Sequence, residues 1–234
     1  MSRPLGVVVD LDDTLFPQSA YLAGAAAAVA DVARTRGLDR AAVHDALRAE
    51  LALGSDRGGT IDRALLSVGV PVEELPAHVP SLVAAFTRYR PVRLELYPGA
   101  RAALDALVAT APVACLTDGS PTIQRAKLAA SGLDLLLPHV VITDALGGRE
   151  LRKPHPAGLL AVAEWMGIRP HRLLVIGDRP AKDVAVAHAV GAQAIRIRQG
   201  EHAGAPDEPL AEAVVATFPD AVEVAMARLA VPAR

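Results

Sequence analysis

Four short apolar runs in this chain each stop at an aspartate. Residues 7–9 (Val-Val-Val) meet Asp10, and 112–116 meets Thr117-Asp118. Residues 140–142 meet Thr143-Asp144, and 173–176 meets Gly177-Asp178. Runs this short, with no polar residue alternating, read as strands covered on both faces. Helical stretches lie between and after them, over 100–109, 121–131, 157–166 and 183–190, with Gly132 and Gly191 as stops. Further strands are predicted at 194–197 and 213–216, then a last helix from Asp220. Strand alternating with helix predicts a parallel sheet with right-handed crossovers. Parallel strands deliver their C-terminal ends to one edge, so the aspartates gather where open α/β sheets bind ligands. Core packing alone does not require that pattern.

Between the first run and residue 95 the alternation lapses. Phe16-Pro17-Gln18 reads as a turn, and only helical signals follow. Ser19 is predicted to cap a helix over 19–36, ended by Gly37. Asp39 caps the next, to about residue 51. Thr60 opens a third, with Ile61, Ala64, Leu65 and Val68 on one face and Gly69 as its stop. Ser81 opens a fourth, to about Tyr89, before Pro91. These predict an inserted helical bundle with its own small core. Tyr97-Pro98-Gly99 marks the return, giving a core domain of 1–16 and 95–234 and a helical insertion of 17–94.

With 234 residues, 52% hydrophobic and 21% charged, the chain can bury a sizeable core. A net charge of −2 without a basic patch gives no electrostatic support for a nucleic-acid partner. The longest apolar stretch, 20–30, is alanine-rich and too short to span a bilayer. The first apolar run is too short for a signal peptide. Cys115 is the single cysteine, so no intramolecular disulfide is possible. The expectation is a soluble cytoplasmic protein with no membrane partner.

The chemistry starts with Asp10 and Asp12. Two carboxylates about 4 Å apart repel by roughly 4 kcal/mol at an effective dielectric near 20. A buried pair therefore keeps a proton or holds a cation. Asp10-Leu11-Asp12-Asp13-Thr14 fits D-x-D-x-T, Thr117 ends the second strand, Lys153 precedes Pro154, and Gly177-Asp178-Arg179-Pro180-Ala181-Lys182-Asp183 fits G-D-x-x-x-x-D. In this order and spacing the set resembles the haloacid dehalogenase-like (HAD) superfamily of phosphohydrolases, over roughly the whole chain. The helical insertion after the first motif looks like the C1 cap of subfamily I, for which Tyr97-Pro98-Gly99 is also typical.

The resemblance implies a Rossmann-like parallel-sheet α/β core, the HAD fold, carrying a helical-bundle cap. It implies a Mg²⁺-dependent phosphatase that hydrolyses a small phosphorylated metabolite through an aspartyl-phosphate. Asp10 would be the nucleophile, and Asp12 the acid and then the base. The metal ligands would be the Asp10 side chain, the Asp12 backbone carbonyl and Asp178, with Asp183 behind them steadying the metal or Lys153. Thr117 and Lys153 would bind phosphate oxygens, joined by backbone N–H groups near Asp118 and Gly119. The residue types agree. A carboxylate can attack phosphorus once a cation screens its approach, and Mg²⁺ suits an all-oxygen site.

Other residues have plainer readings. Arg57, in the polar loop Gly54-Ser55-Asp56-Arg57-Gly58-Gly59, is the insertion's candidate for contacting an anionic substrate. Asp183 also suits the N-cap of its helix. The Asp118 and Asp144 side chains read as loop and turn residues. Cys115 reads as a small buried hydrophobe, Trp165 as helix packing, and His155 as solvated. Two alternatives stand beside the phosphatase. One is a phosphomutase or phosphotransferase of the same fold, with an alcohol replacing water. The other is a non-enzymatic phospho-acceptor like a receiver domain, against which Asp12 and the helical insertion argue. Dehalogenases of this superfamily lack the second acidic residue, so Asp12 disfavours that chemistry.

Overall fold

The structure is a computed structural model that describes residues 4–230. They form two compact units. One runs to Gln18 and resumes at Arg93, and the other is Ser19–Val92. The chain opens on β1 (Gly6–Val9) and continues through α1 (Gln18–Thr35), α2 (Arg40–Ala52), α3 (Thr60–Ser67) and α4 (Leu75–Arg88). Then come α5 (Ala100–Thr110), β2 (Val113–Thr117), α6 (Pro121–Ser131), β3 (Val140–Ile142), α7 (Ala157–Met166) and β4 (Leu173–Gly177). The last elements are α8 (Ala185–Ala189), β5 (Gln193–Ile197), β6 (Ala213–Val215) and α9 (Phe218–Ala230).

All six strands are parallel, in the order β3-β2-β1-β4-β5-β6. The chain winds from β1 through β2 to β3 on one side, then restarts beside β1 with β4 and winds the other way. Loops leaving β1 and β4 diverge there, and the crevice at their C-terminal ends is the natural ligand site of such sheets. β1 is central and buried at all four positions, which explains its uninterrupted apolar run. Val9 lies level with Cys115 and Ile176, and the Asp10 N–H donates to the Ile176 carbonyl at 2.9 Å. This register puts Asp10, Thr117 and Asp178 within a residue or two of one level at the sheet's crest.

Val8, Leu116, Val175 and Ala194 pack with Leu159 and Val162 of α7 and Val186 and Ala187 of α8. Val7 and Val9 alternate to the other face. Further along, fully buried Arg196 of β5 donates to the Asp207 carboxylate and to the carbonyls of His202 (3.0 Å) and Ala205 (2.8 Å), pinning the loop after that strand.

The unit Ser19–Val92 has its own core, centred on Ala26, Val29, Val43, Leu47, Leu65 and Leu82. Asp39 caps α2 as expected, accepting from the Ala42 N–H at 2.9 Å. Two serine caps do not form. α1 begins at Gln18, so Ser19 lies inside the first turn, and Asp13 Oδ1 takes the Gln18 N–H at 2.9 Å. α4 begins at Leu75, so Ser81 sits mid-helix with its hydroxyl donating to the His78 carbonyl at 2.8 Å. Among the described residues no helix is long and apolar enough to cross a membrane.

Candidate active site

Beyond β1 the chain turns tightly. The Leu15 N–H donates to the Leu11 carbonyl at 3.0 Å and the Asp13 N–H to the Phe16 carbonyl at 2.9 Å. Asp13 takes φ = 55°, a left-handed conformation that aspartate tolerates better than most residues. Its carboxylate accepts from the backbone of Gln18 (2.9 Å) and Glu201 (3.1 Å) and from the Tyr97 hydroxyl (3.4 Å). Burial pushes the Asp13 carboxyl up, and burial and then Asp13 push the Tyr97 phenol up. The turn so fastened presents Asp10 and Asp12 at the crest.

Asp10, Asp178 and Asp183 are buried, and each offers a carboxylate oxygen within 4.8 Å of the others. Lys153 enters from the loop before α7. Its Nζ donates to Asp10 Oδ1 (2.5 Å), Asp183 Oδ1 (2.6 Å) and the Leu116 carbonyl (3.2 Å), which matches all three ammonium hydrogens. Burial raises Asp10 to about 7 against the pull of Lys153. Burial, then Asp183 and Asp10, raise Asp178 to about 10. Burial opposes the charge on Lys153, but Asp10 and Asp183 outweigh it and hold the ammonium. Fully ionised, three carboxylates and one ammonium leave two surplus negative charges.

Both oxygens of Asp178 are buried without a hydrogen-bond partner. An orphaned buried carboxylate demands a proton or a cation. A compact all-oxygen donor set fits a hard divalent ion. The residues present therefore suit a metal.

Gly177 makes this cluster possible. A Cβ there would lie 2.3 Å from Asp183 Cγ, so only glycine lets the Asp183 carboxylate approach β4. Asp183 is not the N-cap of α8. That position belongs to Val184, and Asp183 Oδ2 instead accepts from the Arg179 N–H at 3.0 Å. It belongs to a π-type turn, Pro180–Val184, that folds the carboxylate back over the strand end.

The Asp12 carboxylate points to a different set. Lys127 Nζ donates to its two oxygens at 2.7 and 2.8 Å, and Gln124 Nε2 donates to Oδ2 at 2.8 Å. Gln124 Nε2 also reaches Thr117 Oγ1 at 2.6 Å. The motifs missed Gln124 and Lys127. Their one signal is spacing, since two polar residues stand three apart on the stripe 124, 127, 128 that α6 buries.

Asp118 serves as a fastener. It accepts from Thr143 Oγ1 (3.0 Å), the Lys153 N–H (2.9 Å) and Lys182 Nζ (3.0 Å). Burial opposes its charge, but the ammonium groups of Lys153 and Lys182 hold its carboxyl low. Gly119 follows with φ = 120°. Asp144 forms a two-point pair with Arg152, both contacts at 2.6 Å. Cys115 is buried, and burial followed by Asp10 pushes its thiol well up. Arg57 is exposed in the loop before α3. Trp165 is not packed away. It is 47% exposed and stacks on His139, with ring centroids 4.3 Å apart.

Residues 5–191, which carry every core motif, match the haloacid dehalogenase-like hydrolase family. The chain belongs to this family. It is 28% identical over 202 residues to a glyceraldehyde 3-phosphate phosphatase of Methanopyrus kandleri, covering 84% of each chain. It is 30% identical over 205 residues to a phosphoglycolate phosphatase of Rhodospirillum rubrum, covering 84% of this chain and 80% of the relative. The crystal structure of a predicted phosphoglycolate phosphatase from Haemophilus somnus shares the fold, with a TM-score of 0.72 at 20% identity over 96% of this chain and 99% of the other. Phosphatases among the HAD-like hydrolases generally depend on a metal, and the buried cluster of Asp10, Asp178 and Asp183 is where this chain can hold one.

Proposed function

We propose that this HAD-like hydrolase is a Mg²⁺-dependent phosphatase that cleaves a small phosphomonoester in two steps. The observation that carries the reading is the meeting of Asp10 and Asp178, from adjacent central strands, around a carboxylate with no hydrogen-bond partner. The Asp10 and Asp178 side chains and the Asp12 backbone carbonyl would hold the ion, with Asp183 beside them. The ion would supply positive charge that screens a phosphate from the carboxylates.

In the first step an Asp10 carboxylate oxygen attacks phosphorus. The bond from phosphorus to the ester oxygen breaks, and Asp12 gives a proton to the departing alkoxide. In the second step a water attacks the aspartyl-phosphate and Asp12 takes its proton. The bond from phosphorus to the Asp10 oxygen breaks, which releases phosphate and restores the carboxylate. The Thr117 hydroxyl and the N–H groups of Asp118 and Gly119 donate to the phosphoryl oxygens. The Lys153 ammonium, expected from the sequence to bind phosphate oxygens, is held by Asp10, Asp183 and the Leu116 carbonyl, and in this reading it offsets charge through the two carboxylates.

The relatives named for glyceraldehyde 3-phosphate and phosphoglycolate support a short phosphorylated aldehyde or acid as substrate. The unit Ser19–Val92 is the proposed cap, with Arg57 as its reader of a substrate's second polar group. The test is phosphate release from a panel of two- and three-carbon phosphate esters with Mg²⁺. Asp10→Asn and chelation are each expected to remove turnover, and full activity in Asp10→Asn would end the assignment. Arg57→Ala is expected to lower kcat/KM for the best substrate about tenfold more than for p-nitrophenyl phosphate, the scale of one charged contact.

A further inference from the structure

We propose that Lys127 is a positioning residue for Asp12, fixing the carboxylate that exchanges protons with the leaving group and with water. The proposal rests on the reading of Asp12 as acid and base. Lys127 grows from the middle of α6, and its side chain is 4% exposed, against 18% for that of Asp12. The ammonium ends 2.7 Å from one Asp12 oxygen and 2.8 Å from the other. Gln124, three residues earlier on the same face of α6, donates to Asp12 Oδ2 at 2.8 Å and to Thr117 Oγ1 at 2.6 Å. One helix face thus links the proton-exchanging carboxylate to the hydroxyl at the end of β2.

The arrangement is poorly suited to stability alone. Burying an ammonium against a carboxylate costs desolvation on both groups, and an apolar pair of similar volume often does as well. Its distinctive product is orientation. An aspartate at a turn has two side-chain torsions to fix, and donors on both of its oxygens fix them. Misplacing a reacting group by about 1 Å costs on the order of 100-fold in rate. Lys153 Nζ is taken up by Asp10, Asp183 and the Leu116 carbonyl, so the Asp12 carboxylate is not held by that ammonium. Lys127 gives it a clamp of its own.

The test is a double-mutant cycle between Lys127→Met and Asp12→Asn, followed by steady-state turnover of p-nitrophenyl phosphate and of an alkyl phosphate with Mg²⁺. Lys127→Met is expected to lower kcat by about 10- to 100-fold with KM within about threefold, because Lys127 acts through Asp12 and not on substrate. In the Asp12→Asn background the same change is expected to lower turnover no further. Lys127→Arg is expected to recover part of the loss. If Lys127→Met does not fold, as judged by circular dichroism, Lys127→Gln takes its place in the cycle. Wild-type kcat in Lys127→Met, or an equal further loss in the Asp12→Asn background, would overturn the clamp and leave the phosphatase reading intact. Unreduced turnover in Asp12→Asn alone would overturn the reading of Asp12 and the clamp with it.

Discussion

A methyl group at position 177 would stand 2.3 to 2.6 Å from three atoms of Asp183. No ordinary contact is that short, so Gly177→Ala forces the Asp183 carboxylate away from β4. Lys153 then loses one of its three acceptors, and the Arg179 N–H loses its partner. The expected result is a loss of about 1–3 kcal/mol in urea unfolding and a divalent-ion affinity weakened about tenfold, as losses of supporting groups commonly are. Unchanged ion affinity would show that Asp183 is not needed at the metal. The motif spacing already placed Asp10, Lys153, Asp178 and Asp183 together, because each ends or follows a strand of a parallel sheet. It could not place Lys127 or Gln124. Their role depends on which face of α6 turns inward, and a lysine in an alanine-rich helix reads as solvated until its burial is seen.

The same division holds for whole elements. β1, β2, β3, β4 and β5 and the helices between them were legible within a residue or two. Their apolar runs are short and bounded by Pro, Gly or Asp, and parallel pairing leaves little alternative. The helices of Ser19–Val92 were less so, because serine is both a cap and an acceptable helix residue. Ser81 reads as a start, yet α4 begins at Leu75 and runs through Pro80. A proline six residues into a helix removes only the bond to the carbonyl of residue 76 and still sits close to the free first turn. Pro80→Ala restores that donor, while it loosens the unfolded chain by about 0.4–1 kcal/mol. The restored bond and the better helix former outweigh this, so a net gain of about 1 kcal/mol is expected in urea unfolding. A loss of stability would mean that the ring of Pro80 packs usefully where it is.

For the molecule as a whole, the surplus charge at the crest predicts how stability varies with pH when no metal is bound. An unfolded aspartate titrates near 3.8, whereas native Asp10 is raised to about 7 and native Asp178 to about 10. Between pH 4 and 7 the native chain holds protons on both groups that the unfolded chain has released, and between 7 and 10 it still holds one on Asp178. The state that binds more protons loses ground as pH rises, by at most about 1.4 kcal/mol per pH unit for each such proton. Lys153 acts in the same direction, but only above the ordinary lysine value of 10.5, outside this window. The melting temperature of metal-free protein should therefore fall from pH 5 to pH 8. A divalent ion can bind only as those protons leave, so its affinity should rise over the same interval and its binding should release protons. The increment in melting temperature on adding saturating Mg²⁺ should be small at pH 5 and large at pH 8. Calorimetric titration in two buffers of different ionisation enthalpy would count the protons released. A metal-free melting temperature that stays level or climbs from pH 5 to 8, with no proton release on binding, would mean that the buried carboxylates are already balanced by the chain itself.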